Sequence, residues 1–389
     1  VFKKLNLFLI SLMALIIIFT LSGCMNLLAP SPSALSIVKN LTLTGSESPV
    51  TTGQIYSSPA VSANGEIFLG DQTGLYVISG SSSRYYKSAA AVYSSPSIDS
   101  TNDMVFAGNN YGQLLYASSP FTSYNTVRVS YYPIISAPLV FKGNVYVIDN
   151  NGDIYELPES DMTDVSFIRS IGGNGSAVWA SPVTNGTDLF VGADNDVFYA
   201  VNLNSGSIGW EYTMDGPIYG TAAIGVNGNI YVGADALYSL TPDGTLRWTN
   251  PLDGSQIYGS PVISESGIVY IGTINGNFYA INSQTGQTVW SVNLETPIGG
   301  ISSSALIGDN GIVYIASGYT LYALNSSNGN IMSYVGLGYN VESNPVLYDG
   351  KIYVGCDDGQ FYEISSGNSM ASGGWPMFMH DQYHTGRQS

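Results

Sequence analysis

A motif of about 40 residues recurs eight times along this 389-residue chain, and few folds can use such a period. One clear copy begins at Tyr258-Gly-Ser-Pro-Val-Ile, continues as Ile268-Val-Tyr-Ile-Gly, turns at Asn275-Gly276 and resumes as Asn277-Phe-Tyr-Ala-Ile-Asn. It turns again at Gln284-Thr-Gly286 and ends at Val289-Trp290. Four short apolar runs separated by turn residues read as a four-stranded antiparallel meander. The opening signal recurs at Pro59, Pro96, Pro138, Pro182, Pro261 and Pro345, with Ala222 and Ser304 in the equivalent place of two copies that lack Pro. Successive copies start 37 to 44 residues apart. One such sheet cannot bury both of its faces, so the units must stack on one another. The predicted fold is all-β: an eight-bladed β-propeller of four-stranded antiparallel blades.

Composition agrees with strands and tight turns, since Gly (45) and Tyr (29) are abundant. Eleven basic residues against 28 acidic ones leave a net charge of −17, which repels phosphate backbones and excludes nucleic acid as a partner. The two cysteines are Cys24 and Cys356; the latter lies in the apolar run Lys351-Ile-Tyr-Val-Gly-Cys, where a buried, inert thiol is expected.

The first residues read as a leader. Lys3 and Lys4 precede an almost wholly apolar stretch from Leu5 to Leu21, and Leu21-Ser22-Gly23-Cys24 follows at once. This order is that of a secretory signal over 1–23. Its final four residues resemble the bacterial lipobox, which implies acylation of Cys24 and attachment to a membrane. Residues 24–49 read as the acylated cysteine and a polar tether, 50–366 as the propeller, and 367–389 as a C-terminal packing segment. Closing the ring needs a strand from one chain end. Residues 36–44 are expected to complete the last blade, in competition with Gly374-Trp375-Pro-Met-Phe.

Several repeats carry a finer signature. Tyr199-Ala-Val-Asn followed by Ser205-Gly206 and Trp210, and Tyr279-Ala-Ile-Asn followed by Thr285-Gly286 and Trp290, resemble the tryptophan-docking motif of PQQ (quinoprotein-like) repeats. Leu237-Tyr-Ser-Leu with Asp243-Gly244 and Trp248 is a weaker copy. The resemblance implies that Trp210, Trp248 and Trp290 are wedged between neighbouring blades. With the lipobox and the repeat count it makes the chain similar in architecture to the BamB family of envelope lipoproteins. That likeness implies a scaffold in the cell envelope, lipid-anchored at the outer membrane or cell surface, that holds a β-barrel assembly partner as a monomeric propeller. Partner-contact residues are not transferable, because no local motif identifies them. Quinoprotein dehydrogenases with these repeats bind PQQ and calcium at the channel mouth beside a catalytic Asp and often an adjacent-cysteine disulfide. This chain has no Cys-Cys pair, and no Asp/Glu/Asn/Arg cluster stands out at the blade mouths. No cofactor and no catalytic residue are therefore assigned.

Candidate sites are few. Tyr56, Tyr93, Trp179, Tyr219 and Tyr258 lie just before the innermost-strand anchors and are expected to ring one mouth of the central channel, as a surface for a ligand or partner. His380, Asp381 and His384 could share a helical face and bind a metal, but similar segments at the ends of PQQ-like propellers act as packing elements, and packing is the expectation. Asp149-Asn-Asn-Gly-Asp153 has the look of a calcium loop, yet Asn275-Gly276 and Asp357-Asp-Gly359 stand at the same repeat position, so it reads as a hairpin turn. Three functions remain in play: an envelope scaffold, a surface adhesion or polysaccharide-binding module, and a PQQ-dependent dehydrogenase.

Overall fold

A computed structural model describes residues 35–42, 54–80, 82–172, 176–294 and 300–387. The leader, Cys24 and most of the tether lie outside them. Among the described residues, 32 strands form eight four-stranded antiparallel sheets arranged as the blades of a propeller. Blade 4 is typical: Val183–Thr184, Asp188–Gly192, Val197–Asn202 and Ile208–Thr213 pair in sequence order. Its second and third strands are buried along most of their length because blades cover both faces, whereas the outermost strand alternates half-buried with exposed residues. The sequence follows that difference, with continuous apolar runs inside and alternation at the rim.

The innermost strands start at Ala60, Ser97, Leu139, Val183, Ala223, Val262, Leu306 and Val346. Ala305, directly before Leu306, therefore holds the place of Pro in the seventh repeat; Ser304 precedes it by one residue. The one-residue shift went unseen because neither residue is Pro.

Two kinds of contact join neighbouring blades. The second strand usually ends in Gly, and a β-branched residue of the following blade sits where its Cβ would be. A Cβ on Gly192 would fall 2.2 Å from Ile218 Cγ2. At the rim, the three tryptophans reach forward. Trp210, Trp248 and Trp290 donate their indole N–H to the carbonyls of Pro242, Ser283 and Ser326 in the next blade, at 3.0, 3.0 and 2.9 Å. Each ring lies over a hairpin glycine, Gly244, Gly286 or Gly329. Blade 3 lacks the tryptophan, and Ile168 covers Gly206 in its place.

The ring closes through the N-terminal side. Ser36–Thr42 runs antiparallel to Gln360–Ser365 as the outermost strand of blade 8, with Ser36 opposite Ser365 and Thr42 opposite Gln360. A bulge between Ile37 and Lys39 adjusts the register. The competing segment goes elsewhere. Trp375 forms an isolated antiparallel bridge with Ile263 on the innermost strand of blade 6.

Beyond that bridge the C-terminal segment crosses one end of the propeller axis from blade to blade. Carbonyls of Pro376, Gln382, Tyr383 and Gly386 accept from the backbone N–H groups of Ile307, Val61, Ile98 and Thr184, each at 2.8 Å. Its own Trp375, Met377 and Met379 are fully buried. The segment supplies the free inner edges of the blades with partners, which satisfies groups otherwise costly to leave bare.

Candidate functional site

Among the described residues the opposite end of the axis is open, and its walls are built by repetition. In each blade a β-branched residue stands four positions before the Pro place, from Ile55 in blade 1 to Val341 in blade 8. Its backbone N–H donates to a hairpin carbonyl of the preceding blade, as in Val92 to Asp71 (2.8 Å) and Ile134 to Asn109 (3.0 Å). Ile55 to Cys356 (3.4 Å) closes this belt between the last blade and the first. With that side chain locked between blades, strand alternation turns the next residue to the axis. The axial positions are Tyr56, Tyr93, Ile135, Trp179, Tyr219, Tyr258, Ser302 and Glu342, and all eight line one cavity of about 410 Å³.

The five aromatic residues expected at the mouth are thus brought together. Tyr56 and Tyr93 meet edge to face with centroids 5.3 Å apart, and Tyr219 and Tyr258 tilt together at 4.9 Å. Trp179 and Tyr258 remain 46% and 40% exposed, so their rings are available from outside. Ile135, Ser302 and Glu342 were missed because they are not aromatic. Their signal was positional: each stands three residues before the Pro place, once Ala305 is recognised as the seventh anchor.

Beneath the mouth runs a second, polar belt. The residue before the Pro place accepts a hydrogen bond from the backbone N–H of the preceding blade's equivalent. Ser181 donates to Thr221 Oγ1, Thr221 to Ser260 Oγ, Ser260 to Ser304 Oγ and Ser304 to Asn344 Oδ1, at 2.6 to 2.9 Å. Asn344 donates to Ser58 Oγ (3.0 Å), and Ser58 to Ser95 Oγ (2.9 Å). Ala137 interrupts the belt; there Ser94 Oγ donates to the Ser136 carbonyl at 2.9 Å. Phe378, from the C-terminal segment, also lines the cavity. The channel is therefore a blind cup with aromatic walls and a hydroxyl-rich lower ring.

The charge in the cup is one-sided. Among the described residues, Glu342 is the single charged one lining it, accessible from the channel yet sufficiently enclosed that desolvation holds its carboxyl above the usual carboxylate range. Asn340 Nδ2 contacts Glu342 Oε1 at 3.5 Å and Asp357 Oδ2 at 3.4 Å. Burial, and then the field of Glu342, push the Asp357 carboxyl up to about 7. Burial, followed by Asp357 and Glu342, pushes the Tyr56 phenol up to about 12. Asp357 Oδ1 and Asn340 Oδ1 are buried without a hydrogen-bond partner. The structure thus assembles an acidic and amide cluster at the mouth that the sequence reading did not find, because its members come from two separate loops.

The other candidates resolve into structural parts. His384 is fully buried, its Nδ1–H donating to the Pro96 carbonyl at 2.7 Å, and burial pulls its pKa down to about 4. Asp381 accepts from Thr385 Oγ1 (2.6 Å) and the Tyr383 N–H (3.0 Å), and lies 3.4 Å from His380. His380, Asp381 and His384 do not converge: positive φ at Met379, His380 and His384 replaces the helical turn on which a shared face depended. Among the described residues, no group of three or more His, Cys, Asp or Glu is disposed to hold a metal ion. Asp149 Oδ1 accepts from the N–H groups of Asn151 and Asp153 at 2.9 and 3.0 Å, which is turn chemistry around Gly152 at φ +82°. Cys356 is buried, and desolvation pushes its thiol up to about 12.

Comparisons with known proteins find similarity to PQQ-repeat propellers of the BamB type over part of the chain. A family profile described as outer membrane protein assembly factor BamB matches residues 274–370. The outer membrane protein assembly factor BamB of Moranella endobia (strain PCIT) is 25% identical over 252 residues, covering 59% of this chain and 61% of that protein. A tetrathionate hydrolase of Acidithiobacillus ferrooxidans is 23% identical over 292 residues, covering 63% of this chain and 58% of that one. The matches span 42% to 61% of the length of the curated relatives. In fold, the crystal structure of BamB from Moraxella catarrhalis aligns with a TM-score of 0.66 at 16% identity, covering 85% of this chain and 99% of that one.

Proposed function

We propose that this chain is an exported, lipid-anchored scaffold of the cell envelope that assists outer-membrane protein assembly by holding a partner protein, without catalysis. The observation that carries the reading is the double likeness to BamB, over 252 residues in sequence and over nearly the whole length of a solved BamB propeller in fold. The proposed anchor is Cys24, acylated after cleavage of residues 1–23; Lys3, Lys4 and the apolar run that follows support it. A rigid ring of eight interlocked blades suits holding, since it offers wide loop faces with little internal freedom.

Two measurements test this reading. Metabolic labelling with palmitate should mark the protein, and Cys24→Ala should abolish the label. Affinity purification of the wild-type protein from detergent-solubilised envelope should co-isolate a β-barrel insertase in amounts comparable to the bait. A protein that returns alone, while binding polysaccharide, belongs to the adhesion reading instead. The likeness to a tetrathionate hydrolase supplies the enzymatic alternative. Turnover of tetrathionate, or dye reduction after reconstitution with PQQ and calcium, would overturn the scaffold proposal.

A further inference from the structure

The axial cup has a chemistry of its own, independent of whether the propeller holds an assembly partner. We infer that it binds a small organic cation, an ammonium or guanidinium group on a short apolar stem, with Glu342 taking the charge and Trp179, Tyr219 and Tyr258 flanking the stem.

Four observations converge on this class of ligand. The space is the right size: about 410 Å³ within the cup, and about 540 Å³ in the vestibule bounded by Tyr56, Trp179, Tyr219, Tyr258, Ser302 and Glu342. Aromatic rings line most of the wall, and their electron-rich faces attract cations with a strength that grows as water is excluded. Among the described residues, the only charge in the lining is a carboxylate, with no Lys or Arg. Finally, the negative field is shared by the surroundings. Asp71 acts on Tyr93, Asp194 on Tyr219, and Asp357 on Tyr56, each disfavouring further negative charge at the phenol. Carboxylates gathered around a partly desolvated mouth form a site whose electrostatic cost a cation offsets; Asp357, which does not line the cavity, acts through its field alone. An anionic ligand meets repulsion from Glu342 and these neighbouring carboxylates.

A neutral sugar could stack on the same rings but gains nothing from Glu342. The cation has two possible sources, a free amine or a basic side chain on a peptide, and the experiment separates them. The full-length protein in detergent is titrated with agmatine, with an end-blocked Gly-Arg-Gly peptide and with the neutral sugar maltotriose, following Trp fluorescence and heat. Agmatine or the peptide should bind with Kd below about 1 mM. Glu342→Gln should weaken that binding at least about tenfold without lowering the thermal midpoint, and Trp179→Phe should weaken it less. Tighter binding of the peptide identifies a protein side chain as the source, and tighter binding of agmatine a free amine; both support the inference. Equal affinity of wild type and Glu342→Gln for the cations, binding of maltotriose alone, or no binding at all would overturn it. None of these results depends on co-purification of an insertase, so the two proposals fail separately.

Discussion

Replacing Gly192 by Ala probes the blade interlock directly. Gly192 ends the second strand of blade 4, and its new Cβ would lie 2.2 Å from Ile218 Cγ2 and 2.6 Å from Ile218 Cβ. Carbon atoms rest comfortably at about 3.5–4.0 Å, so blade 5 must recede by ~1.5 Å or Ile218 must leave its pocket. Recession also stretches the bond from the Ile218 N–H to the Ala193 carbonyl, now 3.2 Å. Overpacking of this kind costs about 3 kcal/mol, which in a domain of this size lowers the thermal midpoint by about 6 °C. Gly336→Ala is the control, because a Cβ there meets nothing within 4 Å; it should leave the midpoint unchanged or raise it. A double-mutant cycle isolates the contact. Ile218→Ala alone opens a cavity worth about 2–5 kcal/mol, but with Gly192→Ala the losses should fall short of additivity by at least ~1 kcal/mol. Strict additivity, or a harmless Gly192→Ala, would refute the interlock.

Three further outcomes are expected. Trp290→Phe removes the indole donor to Ser326 but keeps an aromatic ring over Gly329, and should cost about 1 kcal/mol, whereas Trp290→Ala should cost about 3 kcal/mol in urea titrations. His384 has a folded-state pKa of about 4 against an ordinary 6.5. The unfolded chain therefore binds the proton first, and about 3 kcal/mol of stability should be lost as pH falls from 6.5 towards 4, read as a falling urea midpoint that His384→Gln flattens. Asp357 is shifted the opposite way, to about 7. Its contribution is present below pH 3.8 and disappears as pH rises to 7, so Asp357→Asn should raise the thermal midpoint at pH 8 and change it little at pH 4.

Local chemistry alone fixed the repeat, the fourfold meander within it and the hairpin turns, because each depends on residues a few positions apart. Asn275-Gly276 must turn and Val269-Tyr-Ile-Gly must be covered on both faces, whatever surrounds them. The mouth was partly legible for the same reason: five axial positions carry large aromatic side chains at one offset from an anchor. Only the assembled ring decided the rest. The partnership of Ser36–Thr42 with Gln360–Ser365 joins opposite ends of the chain, and nothing near either strand specifies it or its bulge. The course of residues 369–387 across the far end of the axis is set by unpaired inner edges that exist only once the blades surround them. Glu342, Asn340 and Asp357 become a cluster because the connection between blades 7 and 8 meets a hairpin of blade 8 beside blade 1, and a carboxylate's field depends on what encloses it rather than on its sequence neighbours.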